Sequence, residues 1–88
     1  MDTHKDNTSE TREWDNSWMC WAWKLNGKIH REDGPAIHDG VGSQFWFRHG
    51  KRHREDGPAY MGSSGAKEWW LNGKRLSEDK WRQEVSKL

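Results

Sequence analysis

A 23-residue repeat constrains what this chain can fold into more than any other feature of its sequence. Gly27, Gly50 and Gly73 each follow a tryptophan by four residues and fall 23 positions apart, with no insertion between the copies. The seven residues HREDGPA at positions 30–36 return unchanged at positions 53–59. Because the period is constant, we expect each copy to occupy an equivalent place in a stack of repeats.

Each copy carries the turn signals of a β-hairpin. Asn26 and Asn72 precede a glycine, and this pair favours a two-residue type I′ turn, in which both central residues have a positive φ. His49 precedes the glycine of the middle copy, and histidine tolerates this conformation better than most residues. Looser turns that contain glycine, at 39–42 and 62–65, join the copies. The pattern predicts a mainly β fold, a single-layer antiparallel meander of about three hairpin repeats with copies starting near residues 23, 46 and 69.

The third copy diverges after residue 76 into a sequence that is typical of a short helix. Ser77 is a favourable N-cap, and two acidic residues follow it in the first turn. Trp81, Val85 and Leu88 then recur at i, i+4 and i+7, which places them on one helix face. We therefore expect residues 77–88 to form a C-terminal helix that closes the open end of the last repeat.

The N-terminal residues 1–12 are polar and hold no aromatic residue, so we expect them to form a disordered tail. The repeat sheet is then expected to span residues 13–76, with Trp14 and Trp18 in a degenerate leading half-repeat. The first strand of such a sheet has no obvious cap, and an exposed edge strand invites pairing with another chain. A homodimer through this N-terminal edge strand is therefore one expectation.

The composition excludes several function classes. Lysine and arginine number 15 and aspartate and glutamate 14, so no net field draws the chain to nucleic acid or to an anionic membrane. No apolar run approaches the roughly 18 residues of a membrane span, and the N-terminus does not read as a signal peptide. Cys20 stands alone, which fits a reducing cytoplasm. Only 31% of residues are apolar, but eight tryptophans supply the area for a folded core.

Pairing the strands about the tight turns assigns side chains to the two faces of the sheet. Trp23 and Trp46 then lie opposite His30 and His53, so one face carries a ladder of indoles at the repeat spacing. The other face interleaves aromatic side chains with arginines, which are enriched at binding hot spots. The alternative is that these arginines pair with glutamates and serve the sheet alone. The candidate binding face consists of Arg31, Phe45, Phe47, Arg52, Arg54, Trp70 and Arg75.

The repeated histidine and acidic residues offer groups for acid–base catalysis, but they recur together with the fold. His30 and His53 are each followed directly by Arg, Glu and Asp. An active site is normally singular, whereas a structural device repeats, so we expect no enzyme and no catalytic residue. The histidines and Cys20 lack the spacing of a zinc site, so neither a metal nor another cofactor is expected.

The repeat resembles the MORN repeat and, more closely, a W-x-x-N-G-x-x-H-R-E-D-G-P-A repeat of small phage and bacterial proteins. The resemblance covers residues 23–76, and HREDGPA occurs in it twice in full. It implies a curved single-layer antiparallel sheet with an interaction role, and it supplies no catalytic residue. The glycine pattern that follows the turn in MORN repeats is replaced here by HRED, so binding to membrane lipid is not expected.

The resemblance and the candidate face together favour a non-enzymatic protein-binding module. The resemblance and the small size of the chain imply a phage- or prophage-encoded protein. The first hypothesis is that it acts in the bacterial cytoplasm and inhibits a host or antiphage-defence protein, such as a CRISPR nuclease, by steric occlusion. A second hypothesis is an oligomeric sponge, in which arginines hold the phosphates of a signalling nucleotide and indoles stack on its base. A third, an enzyme built on the repeated His, Glu and Asp positions, is the least favoured.

Overall fold

A computed structural model describes residues 10–88 of the chain. Within that range, the strands come first and one helix, α1 (Glu78–Val85), follows them. The strands are β1 (Thr11–Asp15), β2 (Cys20–Leu25), β3 (Lys28–Ile29), β4 (Ile37–His38), β5 (Gln44–Phe45), β6 (Phe47–Arg48), β7 (Lys51–Arg52), β8 (Tyr60–Met61), β9 (Lys67–Leu71) and β10 (Lys74–Leu76).

The strands form an open antiparallel sheet. Its order is β1-β2-β4-β5-β8-β9-β10, and β3 forms a hairpin with β2. The β6–β7 hairpin is hydrogen-bonded on one side to Ile29 and Arg31 and on the other to Trp70 and Gly73. The molecule measures 42 × 32 × 17 Å, and 17 Å leaves room for one layer with its side chains. The predicted antiparallel meander with a C-terminal helix is confirmed.

The three tight turns adopt the predicted conformation, because both central residues of each have a positive φ. The angles are 53° and 80° at Asn26 and Gly27, 52° and 83° at His49 and Gly50, and 51° and 83° at Asn72 and Gly73. The predicted register follows from these turns. Lys24 lies opposite Ile29 in the first hairpin, and Trp69 lies opposite Leu76 in the last.

The core is small and lies towards the N-terminal half of the sheet. Trp18, in the turn between β1 and β2, packs edge-on against two phenyl rings, with ring centroids 4.9 Å from Phe45 and 6.0 Å from Phe47. The buried cluster comprises Ala22, Ala36, Ile37 and Phe47. Because one layer buries little area, edge-on and tilted contacts between aromatic rings supplement this cluster.

The C-terminal helix begins and ends close to the predicted positions. The Ser77 hydroxyl accepts a hydrogen bond from the Lys80 N–H (3.2 Å) and so caps the helix. The helix packs on β9 and β10, where its Trp81 side chain is only 6% exposed. No helix in residues 10–88 is both long enough and apolar enough to cross a membrane.

The N-terminal boundary of the sheet differs from the sequence prediction. Thr11 and Arg12 belong to β1 and pair with Lys24 and Trp23, so the predicted disordered tail of residues 1–12 is wrong at its C-terminal end. These polar residues join the sheet because an edge strand needs backbone partners rather than apolar side chains. The rest of the predicted tail, residues 1–9, lies outside the described residues.

Candidate functional site

The histidine of each HREDGPA segment links its own repeat to the turn of the next. His53 is 5% exposed, its Nδ1 accepts a hydrogen bond from the Asn72 N–H (2.9 Å), and its Nε2 lies 2.7 Å from Glu55 Oε2. A backbone N–H can only donate, so Nδ1 carries no proton and the neutral ring donates from Nε2 to the carboxylate. The hydrogen bond from His53 is the largest cause of the lowered pKa of Glu55. The nearby charge of Arg48 lowers this pKa further.

The first repeat has the same arrangement. His30 is 1% exposed, its Nδ1 accepts from the His49 N–H (2.8 Å), and its Nε2 lies 3.0 Å from Glu32 Oε2. Both nitrogens of each ring are thus engaged within the fold. A general acid or base must reach a substrate proton, so this geometry favours the structural interpretation of the repeated histidines over a catalytic one.

The arginine of the same segment packs on the tryptophan of its own repeat. The Arg54 guanidinium lies 3.8 Å from the centroid of the Trp46 ring. Its Nε donates to Asp56 Oδ1 (2.8 Å), and its Nη1 donates to the Pro58 carbonyl (3.1 Å). The bend that HREDGPA makes is therefore fixed by one side chain that joins an indole, a carboxylate and a backbone oxygen.

Arg31 repeats this packing over Trp23, at 4.6 Å. The sequence prediction placed Arg31 and Arg54 with the phenyl rings, and their contacts correct it: both lie with the indole ladder. The reason is that β3 ends at Ile29 and β7 at Arg52. The alternation of side chains between faces holds only within a strand, so it does not extend to these two arginines.

Gly57→Ala is expected to displace the Arg54 guanidinium from the Trp46 ring. A β-carbon at position 57 would lie 2.8 Å from Cζ of Arg54, which Asp56 and Pro58 hold in place. We expect the free energy of unfolding to fall by about 1–2 kcal/mol, measured by urea denaturation.

Gly40→Ala is the matched control for Gly57→Ala, because nothing lies within 4 Å of a β-carbon at position 40. In an Arg54→Ala background, Gly57→Ala should cost less than about 0.5 kcal/mol, since the clash has been removed. An equal cost in both backgrounds would show that the arginine contact is not its cause.

The other predicted face residues do come together, around Arg52. Its guanidinium lies 5.1 Å from the centroid of the Trp70 ring, 5.5 Å from that of Phe45 and 5.8 Å from that of Phe47. Glu68 pairs with Arg52 (3.6 Å), so this cation already has a carboxylate partner.

We call the face that carries Phe45, Phe47, Arg52, Trp70 and Arg75 the phenyl face. Side chains of the same chain cover most of it. Phe47 is 8% exposed under Trp18, and Arg75 reaches the carboxylate of Glu68 (3.9 Å). Of the seven predicted binding residues, only Arg75 is exposed, and 63% of its side chain is accessible. The face therefore serves packing more than it offers an open surface.

The most exposed aromatic pair lies at the N-terminal end of the sheet, on the indole side. Trp14 and Trp21 are 46% and 50% exposed and pack edge-to-face, with ring centroids 5.8 Å apart. The Arg12 guanidinium lies 5.5 Å from the centroid of the Trp21 ring. We call Arg12, Trp14, Trp21, Trp23 and Arg31 the N-terminal indole patch.

The sequence prediction missed Arg12, Trp14 and Trp21 as binding residues. Trp14 and Trp21 are cross-strand partners, as are Arg12 and Trp23, so the four side chains share one face of the β1–β2 hairpin. The alternation of Arg12 with Trp14, and of Trp21 with Trp23, was a signal in the sequence that could have identified this surface.

A mixed-charge cleft of about 440 Å³ separates the two HREDGPA segments. Arg48 bridges it, with Nη2 3.3 Å from Glu32 Oε1 and Nη1 3.2 Å from Glu55 Oε2. The cations that line it are thus matched by neighbouring carboxylates, which does not favour a selective site for an anion. Its lining residues are Arg31, Glu32, Asp33, Trp46, Arg48, His53, Arg54, Glu55 and Asp56.

One group of side chains has the composition of a metal site. Glu10, His30 and Glu32 place ligand atoms within 4.8 Å of one another. Coordination through His30 Nε2 requires a lone pair there, while Nδ1 already uses its own to accept from the His49 N–H. A neutral imidazole has one such lone pair, so a cation would break the link between the repeats. The geometry therefore does not favour a metal.

Cys20 is also a poor candidate for chemistry. Its side chain packs against the buried cluster, and burial together with the charges of Asp15 and Asp39 raises the pKa of the thiol. The nucleophilic form of cysteine is the thiolate, so these surroundings keep Cys20 unreactive.

The fold and the patch define an open hairpin-repeat protein with a polar, arginine-rich surface. Comparisons with models of protein families, with curated proteins and with solved structures find no match to this chain. The MORN-like resemblance therefore stays a prediction that depends on the repeat alone.

Proposed function

We propose that the protein is a non-catalytic binding module that holds a partner protein on the N-terminal indole patch. The observation that carries the proposal is the half-exposed, edge-to-face pair of Trp14 and Trp21, which are cross-strand partners in the β1–β2 hairpin. Tryptophan and arginine are the residue types that most often dominate the energy of protein interfaces. The patch presents both types on one face of one hairpin.

The thin sheet supports this proposal. In residues 10–88, one layer 17 Å thick and the eight-residue helix at its far end cannot cover both faces of the sheet. Apolar area is therefore left exposed at the N-terminal end, where Trp14 and Trp21 lie. Large exposed aromatic side chains that cluster in this way are typical of interaction sites.

Steric occlusion is the mechanism that this architecture favours. The repeats are joined by the His30 and His53 links, so the patch stands on a preorganised scaffold and little conformational freedom is lost on binding. The resemblance to small phage and bacterial proteins makes a bacterial host or antiphage-defence protein, such as a CRISPR nuclease, the first kind of partner to test.

The double substitution Trp14→Ser with Trp21→Ser is expected to weaken capture of the partner at least about 30-fold, which is the effect of losing an interface hot spot. Immobilised protein is exposed to bacterial lysate, and the retained partner is identified by mass spectrometry and titrated. Val41→Ser is the matched control, because Val41 is 72% exposed and lies in the turn between β4 and β5. Equal capture by both variants, or no stoichiometric partner of the wild type, would contradict the proposal.

The nucleotide sponge is the second candidate, and one pocket favours it. Arg12, Arg31, Trp21 and Trp23 line a shallow depression of about 200 Å³, which combines cations with indoles. The depression is smaller than the roughly 300–1,000 Å³ of typical ligand pockets, so the protein partner is favoured. A nucleotide that bound here would add about 2.7 kcal/mol of stability at a hundredfold excess over its Kd.

A further inference from the structure

Among the strands in residues 10–88, β1 is the last one of the sheet on the side away from the C-terminal helix. It is five residues long, and Thr11, Arg12, Glu13 and Trp14 are exposed. In the part of the chain that the structure describes, β1 pairs with β2 alone. An unpaired edge presents backbone N–H and C=O groups that can bind another strand.

The hydrogen bonds of β2 establish which residues of β1 present these groups. The Trp23 N–H donates to Ala36 O (2.8 Å), and the Trp23 carbonyl accepts from the His30 N–H (2.9 Å), both on the side away from β1. Because backbone groups alternate in direction along an antiparallel strand, Ala22 and Lys24 direct theirs towards β1.

The partners of Ala22 and Lys24 in β1 are Glu13 and Thr11. These two residues therefore direct their backbone groups towards β2, and the intervening Arg12 directs its own to the open edge, as does Trp14. The side chains of Arg12 and Trp14 also belong to the N-terminal indole patch. One edge thus offers main-chain hydrogen bonds together with a cation and an indole.

The two faces of β1 differ in charge. The side chains of Thr11, Glu13 and Asp15 share the face opposite the patch, where Asp15 pairs with Lys24 (3.1 Å) and Thr11 Oγ1 donates to Glu13 (2.6 Å). The backbone N–H of Trp18 and the side chain of Lys24 lower the pKa of Asp15, so this carboxylate stays charged. The patch face of β1 carries no acidic residue, and it therefore suits an acidic side chain of the incoming strand.

A second copy of the chain fits this edge poorly. In a two-fold antiparallel pair, a residue of β1 can face only itself or a residue an even number of positions away, because side chains alternate between faces. Three registers of the two β1 strands pair at least three residues of each strand. The first places Arg12 opposite Arg12, the second places Glu13 opposite Glu13, and the third places Glu13 opposite Asp15. Like charges directly opposite one another are destabilising, so the charge pattern disfavours the homodimer.

We infer that the partner adds an extended strand to β1, hydrogen-bonded to the backbone of Arg12 and Trp14, with an acidic side chain facing Arg12 and an apolar one facing Trp14. The inference rests on the proposed function and names its partner chemistry. Main-chain bonds supply affinity in strand addition, and alternate side chains supply specificity. The bound strand therefore carries an acidic residue two positions from an apolar one.

Selection from a displayed library of short random peptides is the test, with the full chain as the target. The enriched peptides should share the acid–x–apolar spacing. Arg12→Pro should bind such a peptide about fivefold more weakly than Arg12→Ala, because proline also removes an N–H that faces the edge. Proline is tolerated on an edge strand where its missing N–H faces solvent, and a thermal melt of each variant checks folding.

Amide exchange in the wild type gives a second measurement that needs no variant. Adding the peptide should slow exchange at Arg12 and Trp14 more than at Thr11 and Glu13, whose N–H groups are already bonded to β2. The inference is overturned by a library with no such enrichment, by equal binding of Arg12→Pro and Arg12→Ala, or by a wild-type dimer that Arg12→Pro dissociates. If the Trp14 and Trp21 double variant still loses its lysate partner in those cases, the binding module stands and strand addition alone fails.

Discussion

Replacing Trp81 with alanine is expected to lower the free energy of unfolding by about 3–5 kcal/mol, the usual cost of removing a buried aromatic side chain. The Trp81 ring is 6% exposed and packs at a tilt of 49° against Trp69, with centroids 4.6 Å apart. Its Nε1 donates to the Arg54 carbonyl (2.9 Å), which reaches back into the preceding repeat. The substitution removes the contact that holds the helix to the sheet, and urea denaturation measures the loss.

Two further variants separate the contributions of Trp81. Trp81→Phe keeps an aromatic ring but lacks the donor, so it should cost less than the alanine variant and leave the Arg54 carbonyl to water. Leu88→Ala, at a residue that is 74% exposed, should change stability by less than about 0.5 kcal/mol. A Trp81→Ala protein as stable as wild type would show that the helix does not close the sheet.

His53→Ala is expected to lower the free energy of unfolding by about 2–4 kcal/mol. The substitution leaves a cavity and removes the ring nitrogen that accepts the hydrogen bond between the repeats. The Asn72 N–H then loses its partner, and the Glu55 carboxylate loses the donor that lowers its pKa. The effect is measured by urea denaturation at neutral pH. Amide exchange at Asn72 should accelerate in the same variant, which a purely local cavity would not cause.

The control for His53→Ala is His38→Ala, at an exposed histidine, which should be neutral within about 0.5 kcal/mol. His53→Asn offers a partial rescue, because the amide oxygen of asparagine can accept from the Asn72 N–H in place of Nδ1. Equal losses for the alanine and asparagine variants would mean that packing, rather than the hydrogen bond, accounts for the role of His53.

Local signals in the sequence predicted the hairpins and their register correctly. Asn26 and Gly27 require a specific turn, and once the turn is known Lys24 must face Ile29. The same logic failed at Arg31 and Arg54, because face assignment by alternation needs a continuous strand. The strands β3 and β7 end before Arg31 and Arg54, and no local signal in the HREDGPA sequence marks the residue at which the strand ends.

Long-range contacts account for the other differences. Trp18 reaches Phe45 across 27 positions and converts part of the predicted binding face into packing, which no local pattern contains. The composition predicts a disordered tail that includes Glu10, yet the Glu10 carboxylate accepts a hydrogen bond from the Glu32 N–H (2.9 Å), 22 residues away. Trp14 and Trp21 alternate with Arg12 and Trp23 in the sequence, but the exposure of the pair depends on how the rest of the sheet packs, which is a long-range property.

The link from His53 to Asn72 also determines how such a chain can grow. Donor and acceptor are 19 residues apart, as they are in the link from His30 to His49, so these two junctions between copies are built in the same way. Duplicating one 23-residue unit would insert a new junction of identical chemistry and leave both terminal structures untouched. The distance between the N-terminal indole patch and the C-terminal helix can therefore change in steps of one repeat.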